Sequence, residues 1–288
     1  MFLNAIAADI SAATRIPFSI ADTQEVGGGS IHRSQVIKGH CGRAFFVKIN
    51  RADRIDLFEA ETHGLRELAR SGCIRVPEPI ALGANKEAAW LVLEYLALSS
   101  HGDATALGRA LASLHRCTAP RFGGQRDNYI GSTLQPNAWD DDWITFWREH
   151  RLGFQLEIAR RNGAPDSLIK ASHAVINRLP DLFADYRPVP SLLHGDLWSG
   201  NAAYINHAPC LFDPAVYYGD READIAMTEL FGGFSPTFYA AYREAWPLDP
   251  GYERRRTLYN LYHLLNHYNL FGGSYGKQAE QGALAILA

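Results

Sequence analysis

Cysteine is scarce in this chain of 288 residues: Cys41, Cys73, Cys117 and Cys210 are widely spaced and never form C-x-x-C. That argues against a disulfide framework or a structural zinc site, and fits reduced thiols in a cytoplasmic protein. No run of about 18 apolar residues occurs, so no membrane-spanning helix is expected. The opening "MFLNAIAADISAATRIPF" has no basic stretch ahead of an apolar run and carries Asp9 early. It reads as an amphipathic helix and not as a signal peptide. Charge of one sign is also lacking. The net charge of −3 gives no overall attraction to nucleic acid or to an anionic membrane, and neither is expected as a partner. Internal repeats and low-complexity tracts are absent.

What is present is core-forming material. Hydrophobic residues make up 47% and charged residues 20%, enough for one large domain or two lobes. "EVGGGSIHRSQVIKG" reads as strand, Gly-rich turn at Gly27–Gly29, strand, and "RAFFVKIN" as a strand with one lysine. "RIDLFEAETHGLRELARSG" places Ile55, Phe58, Leu65 and Leu68 near helical spacing and ends at Gly72. "AAWLVLEYLAL" is a near-continuous apolar run and suggests a buried strand. Beyond it the texture turns helical. "ALGRALASLHRCT" is a helix, "DDDWITFWREHRLGFQLEIARRNG" opens on three Asp as a helix N-terminus does, and "PDSLIKASHAVINRLPDLFADY" is broken near Pro180. "APRFGGQRDNYIGSTLQPNAW" reads as an ordered loop or insertion. The expected architecture is α+β: a small β-rich N-lobe over residues 1–95 and a large, mainly helical C-lobe over 96–288.

The chemistry concentrates in "LLHGDLWSGNAAY", where Asp196 and Asn201 share one short loop. Phosphoryl transfer needs an acceptor hydroxyl held in line and metal ions to neutralise phosphate charge. Asp196 could orient the hydroxyl and take its proton. Asn201 offers an oxygen that a hard cation such as Mg²⁺ accepts. Asp213 follows twelve positions later, which leaves room for a hairpin that returns a second oxygen ligand beside the loop. His-x-Asp-x-x-x-x-Asn followed by a strand-borne Asp has the spacing of a kinase catalytic loop and metal-binding Asp. Upstream, Lys48 lies on a strand, Glu61 thirteen residues on lies on the next helix, and "GGGSIH" precedes both. These fit the phosphate-holding lysine, its partner and a nucleotide-covering loop. Each is weak alone; the order makes them strong together.

"HGDLWSGN", "DPAVYYGDREADIAMTELFGGF", "DNYIGSTLQPN", "FWREHR" and "LYHLLNHYNLFGGSY" closely resemble the fructosamine kinase (ketosamine-3-kinase) family, and the resemblance covers nearly the whole chain. H-G-D-x-x-x-x-N alone is shared with aminoglycoside phosphotransferases and choline kinases. The resemblance implies a bilobal protein-kinase-like fold and ATP-dependent phosphorylation of the 3-hydroxyl of a ketosamine, read as protein deglycation or repair. Bacterial members are associated with ribulosamines and erythrulosamines more than with fructosamines. It further implies Asp196 as catalytic base, Asn201 and Asp213 as Mg²⁺ ligands, Lys48 with Glu61 on the ATP phosphates, Gly27, Gly28, Gly29 and Ser30 as the phosphate cover, and Glu94 and Leu96 in the adenine hinge. The chain departs from the protein-kinase pattern twice. The third Gly of the loop is missing, with His32 close to its place, and Asp213 is followed by Pro-Ala.

Several residues carry a plainer reading beside the functional one. Trp198 could stack on substrate or anchor packing. Asp220, Glu222 and Asp224 could cap a helix, or one could meet a cationic amine. His194 shapes the loop more readily than it carries protons. His263 and His267 sit four apart on a helix, as zinc ligands do, but no third ligand is evident. They read as core or pocket-lining, with His267 a candidate substrate contact. The aromatic residues of "WDDDWITFWREHR" read as core. A kinase for another small hydroxyl compound, such as an aminoglycoside or choline, and a nucleotide-binding module without transfer activity are the alternative functions. The chain is expected to act as a monomer or homodimer.

Overall fold

A computed structural model describes residues 2–27 and 31–288. The chain divides into two compact units: residues 1–102 with 203–213, and residues 103–202 with 214–288.

The first unit begins with helix α1 (Phe2–Thr14), then strands β1 (Ile20–Val26), β2 (Arg33–Gly39) and β3 (Ala44–Asn50). A 3-10 turn (Ala52–Arg54) leads into helix α2 (Ile55–Ser71), followed by β4 (Pro79–Ala84) and β5 (Ala89–Glu94). The five strands form one sheet in the order β1-β2-β3-β5-β4, antiparallel throughout. Strand alternation sorts its side chains. Phe45, Val47 and Ile49 of β3 and Trp90 and Val92 of β5 pack with Ile6 and Ile10 of α1. Asp9 accepts the Trp90 indole N–H at 2.9 Å. The even-numbered residues of β3 face the other way, and Lys48 is among them. On α2, Leu57, Phe58, Glu61, Leu65 and Leu68 are buried. Gly72 closes that helix with φ 65°, and its N–H bonds to Ala69, the left-handed cap that favours glycine.

The second unit holds helix α3 (Ala104–His115), the hairpin β6 (Asn128–Ile130) and β7 (Thr133–Gln135), helices α4 (Trp143–Trp147), α5 (Phe154–Arg161), α6 (Asp166–Asn177) and α7 (Leu179–Leu182), and strand β8 (Ser191–Leu193). The hairpin β9 (Ala202–Ile205) and β10 (Ala208–Leu211) belongs almost wholly with the first unit. Asn206 and His207 turn it with φ 48° and 70°, the conformation of a type I′ hairpin loop. The chain returns with β11 (Tyr217–Gly219), paired to β8, and helices α8 (Glu222–Leu230), α9 (Pro236–Ala245), α10 (Tyr252–Phe271) and α11 (Ser274–Leu287).

Asp142, last of the three Asp, caps α4 by accepting the Thr145 N–H at 2.7 Å. α4 and α5 are joined without a break by a π-helical segment (Arg148–Gly153). The loop expected over residues 119–139 contains the β6–β7 hairpin. Trp143, Phe146 and Trp147 pack with Tyr259 and Tyr262 of α10, as their core reading anticipates, whereas Trp139, the first aromatic of that stretch, is 36% exposed and is not core. α10 is buried on nearly every side from Leu258 to Asn266, as a central helix must be. Among the described residues, no helix is long and apolar enough to cross a membrane.

His263 lies inside this packing at 3% exposure, with no hydrogen-bond partner for Nδ1 among the described residues. Burial, with His267 nearby, pushes its pKa down to about 3. The folded chain therefore keeps His263 neutral where the unfolded chain, with an ordinary value near 6.5, takes up a proton. Its contribution to stability is complete above about pH 6.5 and is lost as pH falls toward about 3. Between pH 6.5 and 5.5 the wild type should lose about 1 kcal/mol more than His263→Leu, which paired urea titrations at the two pH values measure. Equal losses in both proteins would contradict this.

Candidate active site

In the first unit, Lys48 is the focus. Its Nζ lies 2.6 Å from Glu61 Oε1 and 2.5 Å from Asp213 Oδ1, at 5% exposure. Burial by itself would lower the pKa of the ammonium. The charges of Asp213 and Glu61 outweigh it and hold the group above the ordinary lysine value, so Lys48 is a fixed cation. Alternation on β3 turns Lys48 toward α2, and the helical period turns Glu61 back toward the sheet. The β9–β10 hairpin delivers Asp213, whose φ of 57° is rare outside glycine. A side chain held in that region costs about 1 kcal/mol or more and occurs most often where a site needs it. The Asp213 side chain is 45% exposed although Lys48 holds one of its oxygens.

The connector after β5 is tied to the same hairpin. Ser99 and Tyr204 exchange both backbone hydrogen bonds at 2.9 Å. Glu94 pairs with the Arg75 guanidinium and accepts the Glu78 N–H at 3.3 Å, so its carboxylate is committed locally. Leu96 is half-buried, and its carbonyl accepts the Leu98 N–H at 2.9 Å. Among the described residues, nothing lies within 4 Å of where a Cβ at Gly27 would stand. The remaining residues expected in the phosphate cover, Gly28, Gly29 and Ser30, lie outside the described residues.

In the second unit, the loop after β8 is held through its backbone. His194 and Gly195 donate their N–H groups to the two oxygens of Asp224 at 2.7 and 2.9 Å, and Ala215 donates to the His194 carbonyl at 2.8 Å. Gly195 has φ 84°, and a Cβ there would lie 2.0 Å from the Ala215 carbonyl oxygen. No other residue fits. His194 is fully buried, and its Nδ1 accepts the Asp196 N–H at 3.3 Å. The Asn201 amide donates to the Asp196 carbonyl at 2.8 Å, with its carboxylate at 3.4 Å. A 3-10 turn (Ser199–Asn201) closes the loop. Asp196 is part-exposed between buried Gly195 and Leu197. The Trp198 indole, 38% exposed, lies across Gly200, where a Cβ would come within 2.2 Å of the ring.

Two expected substrate contacts are placed otherwise. Asp220 and Glu222 are fully buried. Asp220 accepts the hydroxyls of Tyr259 and Tyr186 at 2.5 and 2.9 Å. Glu222 takes a two-point bond from Arg255, at 2.8 and 3.1 Å, and Arg255 also bonds Asp249 at 2.7 Å. These carboxylates serve the packing of α8 against α10. The reading as substrate contacts does not fit, because both carboxylates are buried and their oxygens are already held by Tyr186, Tyr259 and Arg255. His267 sits in an aromatic group, its ring 4.6 Å from Phe231 and 5.1 Å from Tyr275, with its Nδ1 on the His263 carbonyl at 2.8 Å. Its partners are not residues of the Asp196 loop.

The sequence reading gives His194 as shaping the loop, but takes Asp224 for a helix cap or an amine contact and misses its anchoring role and its partners. Asp224 also bonds His115 Nε2 at 3.1 Å, and His115 Nδ1 meets the Tyr242 hydroxyl at 2.8 Å. Gln135 donates to the Ala215 carbonyl at 3.1 Å and accepts the Tyr262 hydroxyl at 2.6 Å. Arg151, fully buried in the π-helical segment, donates to the Pro136 carbonyl and to Asn137 Oδ1, both at 2.7 Å, and lies 4.0 Å over the Tyr217 ring. The only prior signal was that "DNYIGSTLQPN", "FWREHR" and "GDREAD" recur as blocks in the resembled family. Nothing in them told which block touches which.

The donor chemistry suits Mg²⁺. That ion takes one or two protein oxygens and completes its shell with phosphate and water. Asp213 offers a part-exposed carboxylate, and Asn201, whose amino group faces Asp196, offers a carboxamide oxygen.

A buried, doubly paired lysine on an antiparallel sheet and an Asp–Asn loop on a helical unit together define an ATP-using phosphotransferase of the protein-kinase-like fold. Solved phosphotransferases of that fold superpose on nearly the whole chain. The family model for fructosamine kinase matches residues 2–288. A Synechocystis sp. protein named "Probable ketoamine kinase" is 46% identical over 96% of this chain and 94% of its own length. The Arabidopsis thaliana protein named protein-ribulosamine 3-kinase, chloroplastic, is 43% identical over 88% of this chain and 79% of its own. A crystal structure from Haemophilus somnus, named as a fructosamine-3-kinase, superposes with a TM-score of 0.90 at 30% identity, covering 98% of this chain and 97% of that one. The chain belongs to the fructosamine kinase family and is a kinase with a hydroxyl group as acceptor.

Proposed function

We propose that the protein transfers the γ-phosphoryl group of ATP to the 3-hydroxyl of a ketosamine, with ribulosamine and erythrulosamine adducts ahead of fructosamines. The carrying observation is Asp196: a part-exposed carboxylate on a loop that is anchored through its backbone by the buried Asp224 and His194 side chains and by Asn201. On this reading Asp196 hydrogen-bonds the acceptor hydroxyl and takes its proton, the hydroxyl oxygen bonds to the γ-phosphorus, and ADP leaves. Lys48, kept charged by Glu61 and Asp213, offsets phosphate charge. Asn201 and Asp213 would hold Mg²⁺, which when bound neutralises phosphate oxygens. Gly27, with Gly28, Gly29 and Ser30, covers the phosphates, and the backbone at Glu94 and Leu96 meets the adenine. Trp198 offers an exposed ring to the sugar or amine part of the substrate, and His267 is a second candidate there.

A phosphate on C3 stands one carbon from the C2 ketone. Enolisation toward C1 can expel it, and hydrolysis of what remains frees the amine. This is the chemical basis for reading the activity as repair of glycated amines. The test is ³¹P and ¹H NMR of the product from a ribulosamine adduct of lysine. Phosphate coupled to H3, followed by release of free lysine, is expected. Phosphate on another carbon would overturn the positional assignment.

A further inference from the structure

His32 closes the "GGGSIH" stretch but has been given no role of its own, and it lies on the face of the sheet that carries Lys48. β2 and β3 pair with Arg33 opposite Ile49 and Ser34 opposite Lys48. That register brings His32, the residue before β2, beside Asn50 at the end of β3. Asn50 and Lys48 are two residues apart on a strand and share one face. His32 Nδ1 lies 2.9 Å from Asn50 Nδ2, and the His32 ring packs on Phe58 with centroids 4.8 Å apart. Phe58 precedes Glu61 by three residues on α2, so both point from the same side of the helix. Two pairs are therefore stacked along the sheet. Lys48 meets Glu61, and one helical turn away His32 with Asn50 meets Phe58.

The hydrogen bonds fix the tautomer of the ring. Asn50 Oδ1 accepts the backbone N–H of Arg51 at 2.8 Å, so the amino group is the end turned toward His32. A donor facing Nδ1 requires a lone pair there, which puts the ring proton on Nε2. Burial, with the nearby Lys48 charge, pushes the pKa of His32 down to about 4, so the ring is neutral at physiological pH. Among the described residues, no hydrogen bond involves Nε2.

We propose that His32 is a nucleotide-contacting residue, whose Nε2–H is held by Asn50 and Phe58 as a fixed, neutral donor to the terminal phosphate oxygens of the nucleotide. A neutral ring donates without repelling the Lys48 ammonium, which an imidazolium would do. It also supplies a donor close to where the protein-kinase loop pattern would place its third glycine. The inference rests on ATP being the phosphoryl donor.

The test is the affinity of ATP, ADP and AMP, each with Mg²⁺, for the wild type, His32→Phe, His32→Gln and Asn50→Leu, by displacement of a fluorescent nucleotide. His32→Phe keeps the packing on Phe58 and removes the donor. It should weaken ATP and ADP about tenfold or more, the scale of a hydrogen bond to a charged group, and change AMP less than about twofold. His32→Gln, which regains an N–H donor, should recover much of the loss. Asn50→Leu, which frees the tautomer, should weaken ATP by a smaller factor at unchanged AMP affinity. Unaltered ATP affinity in His32→Phe, or an equal loss for AMP, would overturn the proposal. If His32→Phe fails to fold, wild-type ATP affinity in Asn50→Leu together with no recovery in His32→Gln would overturn it. A wild type that binds none of the three nucleotides would instead refute the use of ATP.

Discussion

Asp196→Asn should lower kcat by about 10²–10⁴-fold, the range in which a positioned general base contributes, with ATP affinity and thermal stability close to wild type. The structure says why the loss would be chemical and not conformational. The contacts that hold the loop use the backbone of residue 196: its N–H goes to His194, and its carbonyl accepts from Asn201 and Trp198. The carboxylate receives the long 3.4 Å approach of the Asn201 amide, which an Asn at 196 can also accept. Removing the charge therefore leaves the loop standing and takes away the proton acceptor. Steady-state kinetics beside a melting curve and an ATP titration check all three parts. A large fall in melting temperature would mean that the carboxylate is structural, and near-normal kcat would remove it from the chemistry.

Asp224→Ala has the opposite character. Asp224 is 2% exposed and accepts three hydrogen bonds, from the N–H groups of His194 and Gly195 and from His115. Burial alone would raise its pKa, but the His115 bond and the donated N–H groups outweigh that and hold it below the usual carboxylate value. The ionised form is the one the fold needs. Truncation strands two buried backbone N–H groups and a histidine, at about 1–3 kcal/mol for each unsatisfied group. A loss of about 3–5 kcal/mol is expected, with a fall in melting temperature of about ten degrees. The surviving folded protein should also turn over more slowly, because the two residues before Asp196 lose their anchor. Asp224→Asn should be nearly as harmful, since its amino group would face a donor. Melting curves and kcat at low temperature read both effects, and a shift of a degree or two would contradict the anchoring role.

Parts of this were legible in the sequence because they rest on local periods. Alternation along "AFFVKIN" and the helical period of α2 bring Lys48 and Glu61 together from a thirteen-residue spacing. The eleven residues between Asn201 and Asp213 are long enough for a two-stranded return, and the hairpin is there. What was illegible depends on pairs distant in sequence. "GDREAD" looks like an acidic surface until Arg255, Tyr259, His115 and the β8 loop are folded around it. The chain also passes from one unit to the other and back between residues 202 and 214, a crossing that composition does not mark. His32 was seen only as a departure from a glycine pattern. Its tautomer followed from Asn50, eighteen residues later.

The most direct test of the central claim is ADP release by the purified protein with Mg·ATP across a panel: ribulosamine, erythrulosamine and fructosamine adducts of lysine, with an aminoglycoside and choline as comparators. Turnover on a ketosamine, fastest with the ribulosamine or erythrulosamine adduct and abolished by Asp196→Asn, is the predicted result. Turnover confined to the aminoglycoside or to choline, or no turnover on any compound by a protein that binds ATP, would contradict it.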